Sequence, residues 1–312
     1  MADHAQVRAG RGSTAVPART WVRLRLGQSP WPFILPAVLY LLVFSIYPLV
    51  SSFLLSLQEY SFQNRSFAWV GLDNYAGLLR DAEFRTAFRN TAVLTVSNVL
   101  VELALGMGLA LFMHRDMVGK GLIRSLLILP MVTTPMVVGL MWRFLLNTDF
   151  GPVNYLLRLA FGLAPINWLG SSPWSLISLI IVDVWQWTPF AFLVLYAGLQ
   201  AIPHELREAA RIDGAGPVSE FKHVVLPLLM PLVSIVVLFR SIDSWRSFDT
   251  VFSLTFGGPG RESATLSFVA YLQGFAYSHL GLASAMSYVM VVVVIVFVTA
   301  WRAAFGQRMI RP

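Results

Sequence analysis

The chain has 312 residues, of which 56% are hydrophobic and 12% charged, with a formal net charge of +7 and no cysteine. So apolar a composition excludes a water-soluble protein of this length, and the missing cysteines exclude disulfides and thiolate metal sites. The five histidines form no ligand-spaced group, and the basic residues sit between long apolar runs, so the charge reads as membrane topology rather than a nucleic-acid surface.

Residues 1–30, rich in Arg, Ala, Gly and Ser without apolar periodicity, are expected to form a disordered cytoplasmic tail. The first apolar stretch is longer than a signal-peptide core and is expected to stay as an anchor. A spanning helix needs about 20 mainly apolar residues. Six segments approach this, at about Trp31–Leu55, Thr91–Met113, Leu122–Leu145, Trp174–Leu199, from Val224 to the first charge at Arg240, and Leu282–Ala300. The second carries Glu102 and the fourth Asp183, while the fifth contains Pro227 and Pro231. Together they predict an all-α integral membrane domain over 31–304, followed by a short cytoplasmic tail at 305–312.

Lys and Arg are normally retained on the cytoplasmic side. With both termini inside, 14 of the 23 basic residues fall in the cytoplasm, and eight acids nearly cancel the remainder outside. This N-in, C-in orientation leaves two cytoplasmic loops, 114–121 and 200–223, and puts 56–90, 146–173 and 242–281 outside. The first loop is a short charged connector. The second is long enough to fold, with Pro203 suited to open a helix and Gly214 to close it in a left-handed conformation, giving about three turns over 204–213. On that helix Ala209 and Ala210 make a flat patch, and Glu205, Arg207, Glu208, Arg211 and Asp213 supply polar contacts around it.

Segment 200–227 resembles the EAA loop of ABC importer permeases: Glu208, Ala209, Ala210, Gly214, Val224, Leu226 and Pro227 fall at the family's spacing, with Val224 in place of Ile. The resemblance covers about Trp31 to Arg302. Trp187-Thr188-Pro189-Phe190, Asp243 to Asp249 and Gly257-Gly258-Pro259-Gly260 are similar to the sugar and polyol branch, and more narrowly to the F-type maltose permease rather than its G-type companion, whose C-terminal tail has no counterpart after Phe305. The resemblance implies a type I importer permease of six spans in a bacterial cytoplasmic membrane. It also implies that Glu208, Ala209, Ala210, Asp213, Gly214, Leu226 and Pro227 form the element that seats on an ATPase subunit. The implied partners are a second homologous permease, two ATPase subunits, an external solute-binding protein and membrane lipid, with no nucleic acid. No G-x-x-x-x-G-K-[ST] phosphate loop is present, so no catalytic residue is expected here, and ATP and Mg²⁺ are expected on the separate ATPase; no cofactor or metal is expected in this chain.

Intramembrane ionisable groups are costly and should face a polar cavity or a partner. Asp183, Gln186, Trp187 and Phe190 recur at i, i+3, i+4 and i+7, offering hydrogen-bonding groups beside an aromatic plane, the combination that suits a sugar ring. Arg240, Ser244 and Ser247, at i, i+4 and i+7, form the matching face of the fifth span. The family resemblance places both sets at substrate-lining positions. Pairing of Arg240 with Asp183 or Asp243 is the structural alternative, and Glu102, beside Gly106 and Gly108, reads as a helix-helix contact. A secondary transporter driven by an ion gradient is the rival function, with Asp183 or Glu102 as proton carrier; a membrane-embedded hydrolase lacks an intramembrane His or Cys.

Overall fold

The computed structural model describes residues 31–61, 66–115 and 118–310; the expected tail at 1–30 lies outside them. The chain divides into two units after Leu49. In the first, an apolar helix runs from Trp31 into a π turn at Leu42–Ile46, and the whole run, α1 (Phe33–Ser56), has the length and composition of a span.

The second unit begins with the end of α1 and a short hairpin, β1 (Gln58–Ser61) paired antiparallel with β2 (Ser66–Trp69). It is a small departure from the all-helical expectation, supported by the cross-strand pair Tyr60 and Phe67, whose ring centroids lie 4.9 Å apart. After α2 (Asp73–Arg80), Asp81 caps the long α3 (Ala82–His114), its carboxylate accepting from the Glu83 and Phe84 amides at 2.6 and 3.1 Å. At 33 residues, α3 is about 50 Å long and extends well beyond a hydrocarbon core of about 30 Å.

The third expected span is not one straight helix. It is α4 (Lys120–Val132) and α5 (Pro135–Leu145), bent by 100° at Thr133 and Thr134. Pro135 explains the break, because its ring disfavours helical geometry in the residue before it, and both threonines are extended. A short helix, α6 (Pro152–Phe161), leads to α7 (Trp174–Ala201), which packs along α3. Gly106 permits that approach: a Cβ there would come within 2.7 Å of Ala191 Cβ and 2.8 Å of the Phe192 amide nitrogen. Gly108, expected to share this role, faces open space.

The helix expected in the 200–223 loop, α8 (His204–Ile212), precedes α9 (Pro217–Trp245), which is longer at both ends than the hydrophobic run predicts. Of its two internal prolines, Pro227 follows a π turn at Phe221–Val225, where Leu226 donates to the Phe221 carbonyl and the register widens, and Pro231 lies within the regular helix beyond it. The 242–281 segment then folds back against the helices. A π turn at Val251–Thr255 packs on α5, with Ser253 against Gly139, and α10 (Leu266–Ala276) buries Leu266 and Phe268. Asn90 of α3 donates to the Glu262 and Ala264 carbonyls at 2.9 and 3.2 Å, and the Leu266 amide donates to Thr91 Oγ1 at 2.9 Å, fixing the return. The last helix, α11 (Leu280–Ile310), packs on α9 and α10.

Candidate functional site

Three helices converge on Arg240. Helical spacing puts Asn98 and Glu102 of α3 on one face at i and i+4, and the same spacing aligns Arg240 with Ser244 on α9. Arg240 and Glu102 are both fully buried. Burial of a guanidinium requires that its donors be used, and here they are. Nε and Nη2 donate to the two Glu102 oxygens at 2.6 and 2.8 Å, a bidentate pair. Nη2 also donates to Asp183 Oδ2, and Nη1 to Asp243 Oδ2, each at 2.6 Å. Asn98 Nδ2 donates to Asp183 Oδ2 at 2.5 Å and to Ser244 Oγ at 3.1 Å. The guanidinium lies 4.8 Å from the centre of the Trp187 ring, a cation–π contact.

One side of this cluster opens to a polar cleft of about 210 Å³. Of the residues expected to face a substrate, Asp183, Trp187 and Ser247 line it. Arg240 and Ser244 stand behind its wall, buried in the cluster. Gln186 is fully buried and points elsewhere, donating to the Thr133 carbonyl at 2.8 Å and so satisfying a group freed by the break between α4 and α5. Phe190 packs on Phe239 at 5.0 Å. The alternative pairing of Arg240 with Asp183 or Asp243 holds for both, with Glu102 added. The sequence reading did not single out Asn98, Asp249, Thr250 or Arg246 for the site. Asn98 was within reach of it, one turn before Glu102; Arg246 and Asp249 lie in the 243–249 stretch that carries the sugar-branch resemblance but were given no role there, and Thr250 directly follows it.

Helix α8 forms where Pro203 and Gly214 bracket it. Gly214 has φ +84°, and the Ala215 amide donates to the Ala210 carbonyl at 2.9 Å, closing the C-terminus in a Schellman arrangement. Its rear is tied down. Buried Glu220, at the start of α9, accepts from Arg207 Nε at 2.6 Å and Arg211 Nε at 3.0 Å, and Arg207 Nη1 lies 2.7 Å from His114 Nε2 at the end of α3. The front carries Glu208 and Ala209, both exposed, with Ile212 86% exposed on the same face and Ala210 half-buried; Asp213, Gly214 and Pro227 are exposed and Leu226 half-buried. Ile212 thus adds an apolar side chain to the exposed front of a charged helix. The clamp through Glu220 had a sequence signal, since Arg207 and Arg211 share a face at i and i+4.

A family model described as "Binding-protein-dependent transport system inner membrane component" matches residues 102–311. The chain is 41% identical to "Probable ABC transporter permease protein y4oQ" of Sinorhizobium fredii, over 91% of each chain. It is 35% identical to the trehalose/maltose transport system permease protein MalF of Thermococcus litoralis, over 88% of this chain and 93% of that one. Its fold is shared with a chain from the crystal structure of a bacterial alginate ABC transporter in complex with an alginate pentasaccharide-bound periplasmic protein (TM-score 0.78, 20% identity, 90% of this chain and 94% of that one). Among the described residues, five to six apolar helices long enough to cross a bilayer agree with an inner membrane component, and the chain belongs to the binding-protein-dependent transport system inner membrane components as a multi-pass ABC importer permease.

Proposed function

We propose that this permease imports a sugar or polyol handed over by an external binding protein, and that it draws its energy from a separate ATPase through α8. In this reading the chain forms half of the translocation path and a second, homologous permease forms the rest. Two ATPase subunits carry the ATP and Mg²⁺, and no cofactor or metal is required in this chain. The observation that carries the coupling role is α8 itself: a capped helix with Glu208, Ala209 and Ile212 exposed in front and Glu220 anchoring it behind. Such an element transmits a push at its front to α3 and α9, because its rear contacts belong to them. The sugar class is supported by the relative named for trehalose and maltose, and by an indole and hydroxyl-directed polar groups sharing one cleft. A gradient-driven carrier would need a carboxylate free to cycle its proton, whereas Glu102 and Asp183 are both held by Arg240.

Deleting the gene and testing growth on sugars, polyols, amino acids and peptides as sole carbon sources checks this reading. Growth on one sugar or polyol should be lost and restored by the intact gene. Loss confined to amino acids or peptides would contradict the substrate class.

A further inference from the structure

The cleft beside Arg240 has a definite sign. Asp183, Asp243 and Asp249 line it against a single basic lining residue, Arg246, a formal charge of −2. Counting the groups behind the wall changes nothing, since Arg240 is matched by Glu102. Asp183 and Asp243 are engaged by Arg240, and Arg246 lies 3.4 Å from Asp243, but Asp249 has no ion pair among the described residues. A second feature marks the cleft as a place for a ligand rather than a solvated acidic patch. Thr250 is 4% exposed and lines it, and its hydroxyl has no hydrogen-bond partner among the described residues. Trp187 adds an apolar edge whose ring is already engaged by the guanidinium.

From this geometry we infer that the cleft discriminates by charge: it admits uncharged sugars or polyols and rejects anionic ones, such as sugar phosphates, uronates or sulfonates, with Asp249, which has no ion pair among the described residues, supplying half of the surplus negative charge. The inference rests on the reading of the cleft as part of the translocation path. An anionic solute gains nothing from Arg240, whose donors are committed to three carboxylates, and is repelled by the surplus charge. An uncharged solute meets acceptors at Asp249 and Asp243, a hydroxyl at Thr250 and the indole edge.

The absence of cysteine from the chain makes a direct test available. Ser247→Cys, whose side-chain hydroxyl makes no hydrogen bond among the described residues, is introduced into the full permease, expressed with its partner subunits and held in nanodiscs. Its modification rates by a cationic and an anionic methanethiosulfonate reagent are each divided by the rate on a free small thiol. The cationic reagent should be favoured about tenfold, as two unit charges several ångströms away produce after screening, and Asp249→Asn should reduce that preference to about threefold. A thiol reached by both reagents, with the anionic one equal or faster, would overturn the selectivity and leave the path standing. A thiol reached by neither would overturn both.

Discussion

Arg240 binds Glu102 of α3, Asp183 of α7 and Asp243 of its own helix, so one side chain sets the spacing of three helices. A buried ion pair is weak evidence of net stability, but breaking one by removing a single partner strands the other and costs roughly 3–5 kcal/mol. Arg240→Met should therefore lower the thermal midpoint of the detergent-solubilised permease sharply, while Glu102→Met/Arg240→Met should recover part of the loss by replacing the bidentate pair with an apolar contact. A double variant no better than the single one would show that the Glu102 pair is not the main support of Arg240. The sequence made the candidates visible, because charges at Glu102, Asp183 and Arg240 stand out in apolar runs. It left their pairing open, since helical spacing places a residue on a face but does not say which helix meets that face. Gln186 shows the limit: its spacing matched Asp183, yet its partner is a backbone carbonyl exposed by a kink nearby.

At the scale of elements, α8 is set by features the sequence states directly, Pro203 before it and a positive-φ glycine after it. Gly214→Val puts a β-branched residue where only glycine is at ease, and should tilt the docking face. Uptake by whole cells should fall to background while immunodetection shows unchanged insertion; normal uptake would remove the coupling role. Glu220→Gln tests the rear clamp instead, weakening two charge-assisted bonds. It should lower the amount of substrate moved per ATP hydrolysed severalfold in vesicles. A charge swap at Arg207 and Glu220 should restore part of the ratio; an unchanged ratio in Glu220→Gln would make the clamp irrelevant to coupling. The broken third span was harder to read. Its composition satisfies a hydropathy criterion across the whole stretch, and only Pro135, acting on Thr134, turns one span into two helices at 100°. The return fold of 251–276 was hidden for a different reason, since its apolar stretches are too short to register as spans and its place depends on distant hydrogen bonds from Asn90 and Thr91.

The described helices present a broad exposed apolar surface, a polar cleft beside an ion cluster, and the capped helix α8, for which a docking role is proposed. In the proposed function these parts form one half of an importer whose energy comes from outside the chain. Transport then needs that external energy source, and reconstitution decides whether it does. The purified chain alone in liposomes should show neither ATP hydrolysis nor uptake of a sugar or polyol under an imposed proton or sodium gradient. Adding the second permease, the ATPase and the loaded binding protein should give uptake that requires ATP on the side of α8. Robust gradient-driven uptake by the chain alone would show an ion-coupled carrier instead.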